Sequence, residues 1–325
     1  MSFRRTLKII FWNVGTVVLL IILCEVIVRI VHPEIQVAGT DRKLLEANVY
    51  YESVGLKKNS EGESNGVLKK VDENGFWKYS IRKKSNARKI LILGDSAAMG
   101  LGVEDDSTFV GLLNQDFDYI EFYNASLIGY SSTDYLHVTK SLIEQRKNDL
   151  MISDIFIFWC LNDIYSNLPD PDSPEQKSDF IKTITTFLGR NSRLYHFLKN
   201  TFSDRSKAYF DYDRQFYIDT NEQLIKSVQN LKVLKQITDT SNVSIKIFLL
   251  PYEYQIRKAN KPDFFEPQKL FKSLLSDSNF DVIDCSEAFK LLNTPSKDFY
   301  LYGDGIHFSK FGHRTLANYL ISILK

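Results

Sequence analysis

The chain reads as an α/β fold, a mostly parallel sheet covered by helices on both faces, carried behind an amino-terminal membrane helix. Three observations lead there. Five short apolar or β-branched runs, Lys89 to Leu93, Ile120 to Asn124, Ile155 to Trp159, Ser244 to Leu250 and Asp281 to Asp284, have the length and composition of buried strands. The segments between them carry helical spacing: Phe109, Leu112 and Leu113; Leu136, Val138, Leu142 and Ile143; Leu224, Ile225, Val228, Leu231, Val233, Leu234 and Ile237; and finally Leu316, Tyr319, Leu320 and Ile323. Strands alternating with helices imply right-handed crossovers between parallel neighbours. The third observation is an uncharged stretch from Ile9 to Cys24.

That stretch continues through Val26, Ile27, Val28, Ile30 and Val31, broken by Glu25 and Arg29. As a helix, Ile9 to Val31 extends about 34 Å, enough for a hydrocarbon core of ~30 Å. Glu25 and Arg29, spaced i,i+4 with the acid first, are expected to pair and to end the span. Arg4, Arg5 and Lys8 precede the run, so the positive-inside rule keeps this end in the cytoplasm and sends the rest across. The apolar stretch is long for a cleaved signal peptide and no A-x-A-like site follows it. Bulky Leu23 before Cys24 argues against lipid attachment there. The expectation is a single uncleaved anchor, residues 1–31, in the cell membrane, with everything after it extracytoplasmic.

Residues 32–87 show little periodicity and a polar stretch from Lys57 to Asn65, which reads as a membrane-proximal stalk, either packed against the main domain or loosely ordered. Residues 88–325 form the main domain. Between the third and fourth runs the chain is longer than one crossover helix requires, so an insertion is expected at about 165–220. It holds a proline-rich loop, Leu168 to Pro174, and aromatics from Tyr195 to Tyr217, read either as a lid or as the core of a helical subdomain.

Composition excludes several classes. The 325 residues are 44% hydrophobic and 25% charged, with a net charge of +1. The anchor region holds four basic residues and one acid, so the exported part is nearly neutral. Nucleic acid binding, which rests on neutralising several phosphates, is not expected. Three cysteines make no disulfide scaffold, no C-x-x-C pair suggests zinc, and neither a metal nor a cofactor is expected. Gly100-Leu101-Gly102 lacks a third glycine and no G-K-[ST] exists, which argues against nucleotide binding.

Sites in such folds lie beyond the carboxyl ends of the strands. After the first run comes Gly94-Asp95-Ser96, a tight turn that exposes a serine at a helix start. After the second come Asn124-Ala125-Ser126 and Gly129-Tyr130, a glycine-bearing loop able to offer a backbone N–H. After the third comes Cys160-Leu161-Asn162-Asp163, where the Asn162 amide can donate. After the fifth comes Gly303-Asp304-Gly305-Ile306-His307, where a carboxylate three residues before a histidine can reach back to Nδ1 and leave Nε2 as a base. Each loop alone has a structural reading. Together they supply the nucleophile, oxyanion donors and oriented base of acyl transfer.

The order and spacing of these four segments resemble the SGNH hydrolases, also called GDSL hydrolases, from about Asn74-Gly75-Phe76 to the carboxyl terminus. Ile90 to Ser96 with Gly100, Gly102-Val103 and Thr108-Phe109 is similar to the first block of that family. Asn124 with Gly129 is similar to the second, Asn162-Asp163-Ile164 to the third, and Asp304 to His307 with Gly312-His313 to the fourth. The resemblance implies a three-layer α/β/α fold of flavodoxin-like type with a five-stranded parallel sheet. It implies a Ser96, His307 and Asp304 triad and an oxyanion hole from the Ser96 and Gly129 N–H groups and the Asn162 side chain. Where the family has glycine two residues before the third-block asparagine, this chain has Cys160. His313 is expected to pack or cap rather than act as a second base.

The function expected is a membrane-anchored serine esterase acting on an O-acylated carbohydrate or lipid. An O-acetyltransferase of an envelope polysaccharide, served by a membrane acyl-donor protein, uses the same triad. A non-catalytic binding module on the same fold is the third class. The α/β-hydrolase alternative fits less well, because Ser96 follows the first strand and Asp304 lies beside His307.

Overall fold

The computed structural model describes residues 3–80, 86–165 and 179–325. Contacts divide the chain into two compact units, Met1–Ala38 with Pro174–Asp204, and Gly39–Ser173 with Arg205–Lys325. The second carries every residue singled out for chemistry.

Its centre is the predicted five-stranded parallel sheet. The strands are β5 (Arg88–Gly94), β6 (Ile120–Asn124), β7 (Ile152–Trp159), β8 (Ser244–Leu249) and β9 (Asp281–Asp284), in the order β6-β5-β7-β8-β9. Ahead of them come two hairpins, β1 (Leu45–Tyr50) with β2 (Ser53–Leu56) and β3 (Glu61–Ser64) with β4 (Val67–Lys70). In β5, Ile90, Leu91, Ile92 and Leu93 are all buried, as a strand covered on both faces requires. The helices are α2 (Ser96–Met99), α3 (Phe109–Asp116), α4 (Ser132–Thr139), α7 (Arg205–Asp213), α8 (Glu222–Thr240), α9 (Glu253–Arg257), α10 (Glu266–Leu275), α11 (Glu287–Lys290) and α12 (Lys310–Leu324).

Two consecutive residues of β7 define the layers, because neighbours on a strand point to opposite faces. Phe158 meets Phe109 of α3, which stacks on His313 of α12. Trp159 meets Tyr135 of α4 and stacks on Phe271 of α10. The sheet is thus the middle of three layers. Register sets Gly94 of β5 opposite Phe158 and Trp159 opposite Leu249 of β8, which brings the candidate loops to one edge.

Of the two arrangements open to the stalk, the described residues from Gly39 onward show the packed one. From Gly39 onward the segment belongs to this unit, and Leu44, Leu56, Val71, Phe76 and Trp77 join its core. Trp77 Nε1 donates to the Ser126 carbonyl at 2.8 Å. The β3–β4 turn is Asn65-Gly66, with φ of 49° and 75°, the left-handed pair that a two-residue hairpin favours. Lys69 of β4 is wholly buried and pairs with Asp105 at 2.7 Å. Burial pushes the lysine pKa down and the aspartate up, against their mutual attraction. Asp105→Asn would strand the ammonium group, and is expected to cost about 3–5 kcal/mol, read as a lowered unfolding midpoint. Lys69→Met should cost less, because the group it leaves unpaired, Asp105, keeps some access to solvent and can take up a proton.

The first unit holds α1 (Phe3–Val31), α5 (Asp179–Asn191) and α6 (Arg193–Phe202). Helix α1 is long and apolar enough to cross a membrane. Thr16 Oγ1 donates to the Trp12 carbonyl at 2.9 Å, satisfying the hydroxyl inside the apolar stretch. Arg29 Nε donates to Glu25 at 2.7 Å, the expected pair. The insertion is therefore not one piece: its helices α5 and α6 go with the anchor, and Arg205 onward goes with the sheet. Its aromatics divide likewise. Phe210 and Tyr217 are buried in the sheet unit, Phe210 stacked on Phe264, and so serve as core rather than lid. The proline-rich loop at 168–174 lies outside the described residues.

Candidate active site

Strand β5 ends at Gly94 because nothing larger fits. A Cβ there would sit 2.4 Å from Ala98 Cβ and 3.1 Å from the Phe158 carbonyl. Asp95 then caps α2, its Oδ1 accepting from Ala97 N at 2.8 Å. Ser96 follows as the first helical residue, buried, and Gly100 closes the short helix at φ 75°.

His307 reaches Ser96 from the loop ahead of α12. Its Nε2 lies 2.7 Å from Ser96 Oγ, and its Nδ1 lies 2.8 Å from Asp304 Oδ1. The same Asp304 oxygen accepts from the backbone N–H groups of Ile306 and His307, at 2.9 and 2.8 Å, so the carboxylate is fixed by its own turn. Gly305, at φ 94°, is pressed against Ser206 at the start of α7, where a Cβ would come within 2.5 Å. Asp304 accepting from Nδ1 sets the tautomer that leaves Nε2 free to take the serine proton.

The electrostatics agree. Burial alone would lower the His307 pKa and is the largest influence on it, but the charge and hydrogen bond of Asp304, with the charge of Asp95, outweigh it and raise the value above the ordinary one. Burial likewise opposes ionisation of Asp304, yet His307 and the nearby Arg205 hold its carboxyl well below the usual range.

Asn162 lies on the short helical turn Leu161–Ile164 and joins the set through Asp95, its Nδ2 donating to Asp95 Oδ2 at 3.1 Å. Ser96 Oγ lies 3.2 Å from the same oxygen. Cys160, where the hydrolases the sequence resembles carry glycine, sits at φ −98°, a region open to any residue, so its side chain costs no backbone strain. Its pKa is pushed well above the ordinary thiol value by burial first and then by Asp95 and Asp163, so it stays a thiol and is no rival nucleophile. Asp163 fixes the turn, its Oδ2 accepting from Cys160 N at 2.9 Å and from the Tyr135 hydroxyl at 2.7 Å.

Gly129, at φ 78°, is exposed in the loop after β6, a loop tied to β5 by Leu127 N donating to the Gly94 carbonyl at 3.3 Å. Among the described residues it takes no part in the hydrogen-bonded set around Ser96. Asn124 is structural: its Nδ2 donates to the Tyr79 hydroxyl and the Ala98 carbonyl. His313 caps α3, its Nδ1 accepting from Phe109 N at 3.2 Å, and burial lowers its pKa to about 3.

Sequence reasoning missed the support behind Asn162. Tyr252, wholly buried, places its hydroxyl 3.0 Å from Asn162 Oδ1 and 2.6 Å from Asp213 Oδ2, and Tyr165 donates to Asp213 Oδ1 at 2.5 Å. The Asn162 amide thus faces Asp95 with Nδ2 and the Tyr252 hydroxyl with Oδ1, the single hydroxyl proton being shared between Oδ1 and the nearer Asp213 oxygen. The available signal was position, since Tyr252 follows the fourth strand as the other site loops follow theirs. Asp213, inside the insertion, offered none.

No protein-family model matches the chain, and no curated protein does. The search of solved structures finds low-identity neighbours. A lipase/acylhydrolase from Enterococcus faecalis is 17% identical, with 73% of this chain and 95% of that chain covered and a TM-score of 0.42. The acetyl xylan esterase AlAXEase is 18% identical, with 73% and 100% covered and a TM-score of 0.45. A member of the lipolytic protein G-D-S-L family from Veillonella parvula DSM 2008 is 15% identical, with 73% and 98% covered and a TM-score of 0.41.

Proposed function

We propose that the chain is a membrane-anchored serine ester hydrolase whose catalytic domain is extracytoplasmic and whose substrate is an O-acylated carbohydrate or lipid. The observation that carries this reading is the unbroken chain from Ser96 Oγ to His307 Nε2, 2.7 Å, and from His307 Nδ1 to Asp304, 2.8 Å. His307 takes the Ser96 proton as Oγ attacks the ester carbonyl. The tetrahedral oxyanion is held by the Ser96 and Gly129 N–H groups and by Asn162 Nδ2. On collapse, His307 gives its proton to the leaving alcohol. Water, activated by the same histidine, then releases the acid. A complete triad weighs against a non-catalytic binding module.

Arg4, Arg5 and Lys8 on the cytoplasmic side of α1 support the orientation. With α1 as anchor, the domain would stand beside membrane acyl donors, which favours one second reading, transfer of the acyl group to a polysaccharide hydroxyl. Incubating the full-length protein with an acetyl donor and an acceptor polysaccharide separates the two. Free acetate alone supports hydrolysis, acetylated polysaccharide supports transfer, and neither product contradicts both.

The oxyanion hole has its own test. Asn162→Ala is expected to lower kcat by about 10²- to 10³-fold with little change in KM. Tyr252→Phe should lower kcat less, and the double variant should be no worse than Asn162→Ala, because Tyr252 acts through Asn162. Independent, multiplying losses would show that Tyr252 acts elsewhere.

A further inference from the structure

The helices that share a unit with the anchor carry a surface that the chemistry at Ser96 leaves unused. Successive residues of an α-helix are about 100° apart, which places Phe180, Ile181, Ile184, Phe187 and Leu188 of α5 within an arc of roughly 120°. Four of them are strongly exposed: Phe180 at 73%, Ile181 at 46%, Ile184 at 41% and Phe187 at 63%. Helix α6 adds Leu198 at 45% and Phe202 at 83%. A contiguous apolar stripe of this size marks an interaction surface.

What it meets is decided by where the two helices are fastened. Glu25 of α1 accepts from Ser192 Oγ at 2.8 Å and from the backbone N–H groups of Arg193 and Leu194 at 3.0 Å each, so the anchor's own carboxylate caps α6. Arg29 Nη2 donates to the Asn191 carbonyl at 2.8 Å, at the carboxyl end of α5. Ala38 N donates to the Gly189 carbonyl at 2.9 Å. The corner between α5 and α6 is therefore bonded to the last two turns of α1 and to the chain just beyond it. A span needs about 20 residues, and counting from Lys8 that brings Glu25 and Arg29 to the headgroup level. Arg190, Arg193 and Lys199 on the same two helices provide cations for lipid phosphates, the composition of an interfacial helix.

We propose that α5 and α6 lie in the membrane interface beside the emerging anchor, with Phe180, Ile184, Phe187 and Phe202 seated between headgroups and acyl chains. The placement takes α1 as retained in the mature chain, since Glu25 bonds the start of α6 and Arg29 the end of α5. The inference rests on α1 being a membrane span and is independent of the reaction at Ser96.

The test uses the full-length chain in vesicles of phosphatidylcholine and phosphatidylglycerol. Cys24→Ser removes the exposed native thiol, and Cys160 and Cys285 are buried, so an introduced cysteine takes the label. An environment-sensitive fluorophore is attached at Ile184→Cys, at Phe187→Cys, or at Thr186→Cys on the polar side of α5. The first two labels are expected to emit to the blue, to be quenched by nitroxide-bearing lipids, and to be several-fold less sensitive to aqueous iodide than the third. Equal iodide quenching at all three positions, in a chain that remains membrane-bound, would overturn the interfacial placement alone. An intact mass lacking residues 1–31 in the native membrane fraction would overturn the anchor reading beneath it.

Discussion

Replacing Ser96 with alanine is expected to lower kcat/KM on an activated acetyl ester by roughly 10⁴- to 10⁶-fold, to the level that binding and the oxyanion donors alone sustain. The loss should be chemical and not structural. Ser96 is buried, its hydroxyl proton lies within reach of His307 Nε2 and Asp95 Oδ2, and the cap that holds the turn is the Asp95 side chain on Ala97 N, which alanine leaves in place. Forfeiting such a bond costs about 1 kcal/mol, so the unfolding midpoint should fall little while activity disappears. Kinetics and thermal unfolding on the same sample check this. Near-normal turnover in Ser96→Ala would remove the nucleophile from the account, and a collapse in stability would leave the turn, not the chemistry, as its explanation.

Asp304→Asn is expected to cost about 10²- to 10⁴-fold, although the residue touches no substrate. Asparagine can keep an oxygen on the Ile306 and His307 N–H groups, so the turn survives. The same oxygen can still accept from Nδ1, so the tautomer also survives, but the amide carries no charge to stabilise the imidazolium that forms as His307 takes the Ser96 proton. The pH profile separates this from mere distortion. In the native chain kcat/KM should rise with pH as His307 loses its proton, with the acid limb above the ordinary imidazole value because Asp304 and Asp95 raise its pKa against burial. Removing the Asp304 charge leaves burial, which favours the neutral ring, opposed by Asp95 alone, so the residual activity should have its acid limb at lower pH. An unmoved limb would mean that His307 is not the titrating base.

Much of this was legible in the sequence, and the physical reason differs from place to place. The five sheet strands were readable because both of their faces are covered, which forces near-continuous apolar runs such as Ile90 to Leu93. Hairpin β3–β4 was not: its inward positions are Gly62 and Ser64, so no hydrophobic alternation betrays it. Lys69 misleads in the same way, being a charged residue that the fold buries against Asp105. Ser96, Asn162, Asp304 and His307 could be proposed from the sequence because each follows one of the sheet strands, at the edge where sites in such folds collect. Tyr252 and Asp213 hold Asn162 from behind, through contacts between residues distant in sequence, and only the folded chain brings them together. The junction at Asp204 and Arg205 was hidden because the cap on α6 comes from Glu25, far away in the chain.

The central claim is that Ser96 carries the acyl group, and a single trapping measurement addresses it. The full-length protein is mixed with an activated acetyl ester, quenched in acid before the intermediate turns over, digested and analysed by mass spectrometry. The account predicts one acetyl group on the peptide containing Ser96, absent from the same peptide after His307→Ala. An acetyl group on Cys160 or another residue in a turning-over enzyme, with Ser96 unmodified, would contradict it.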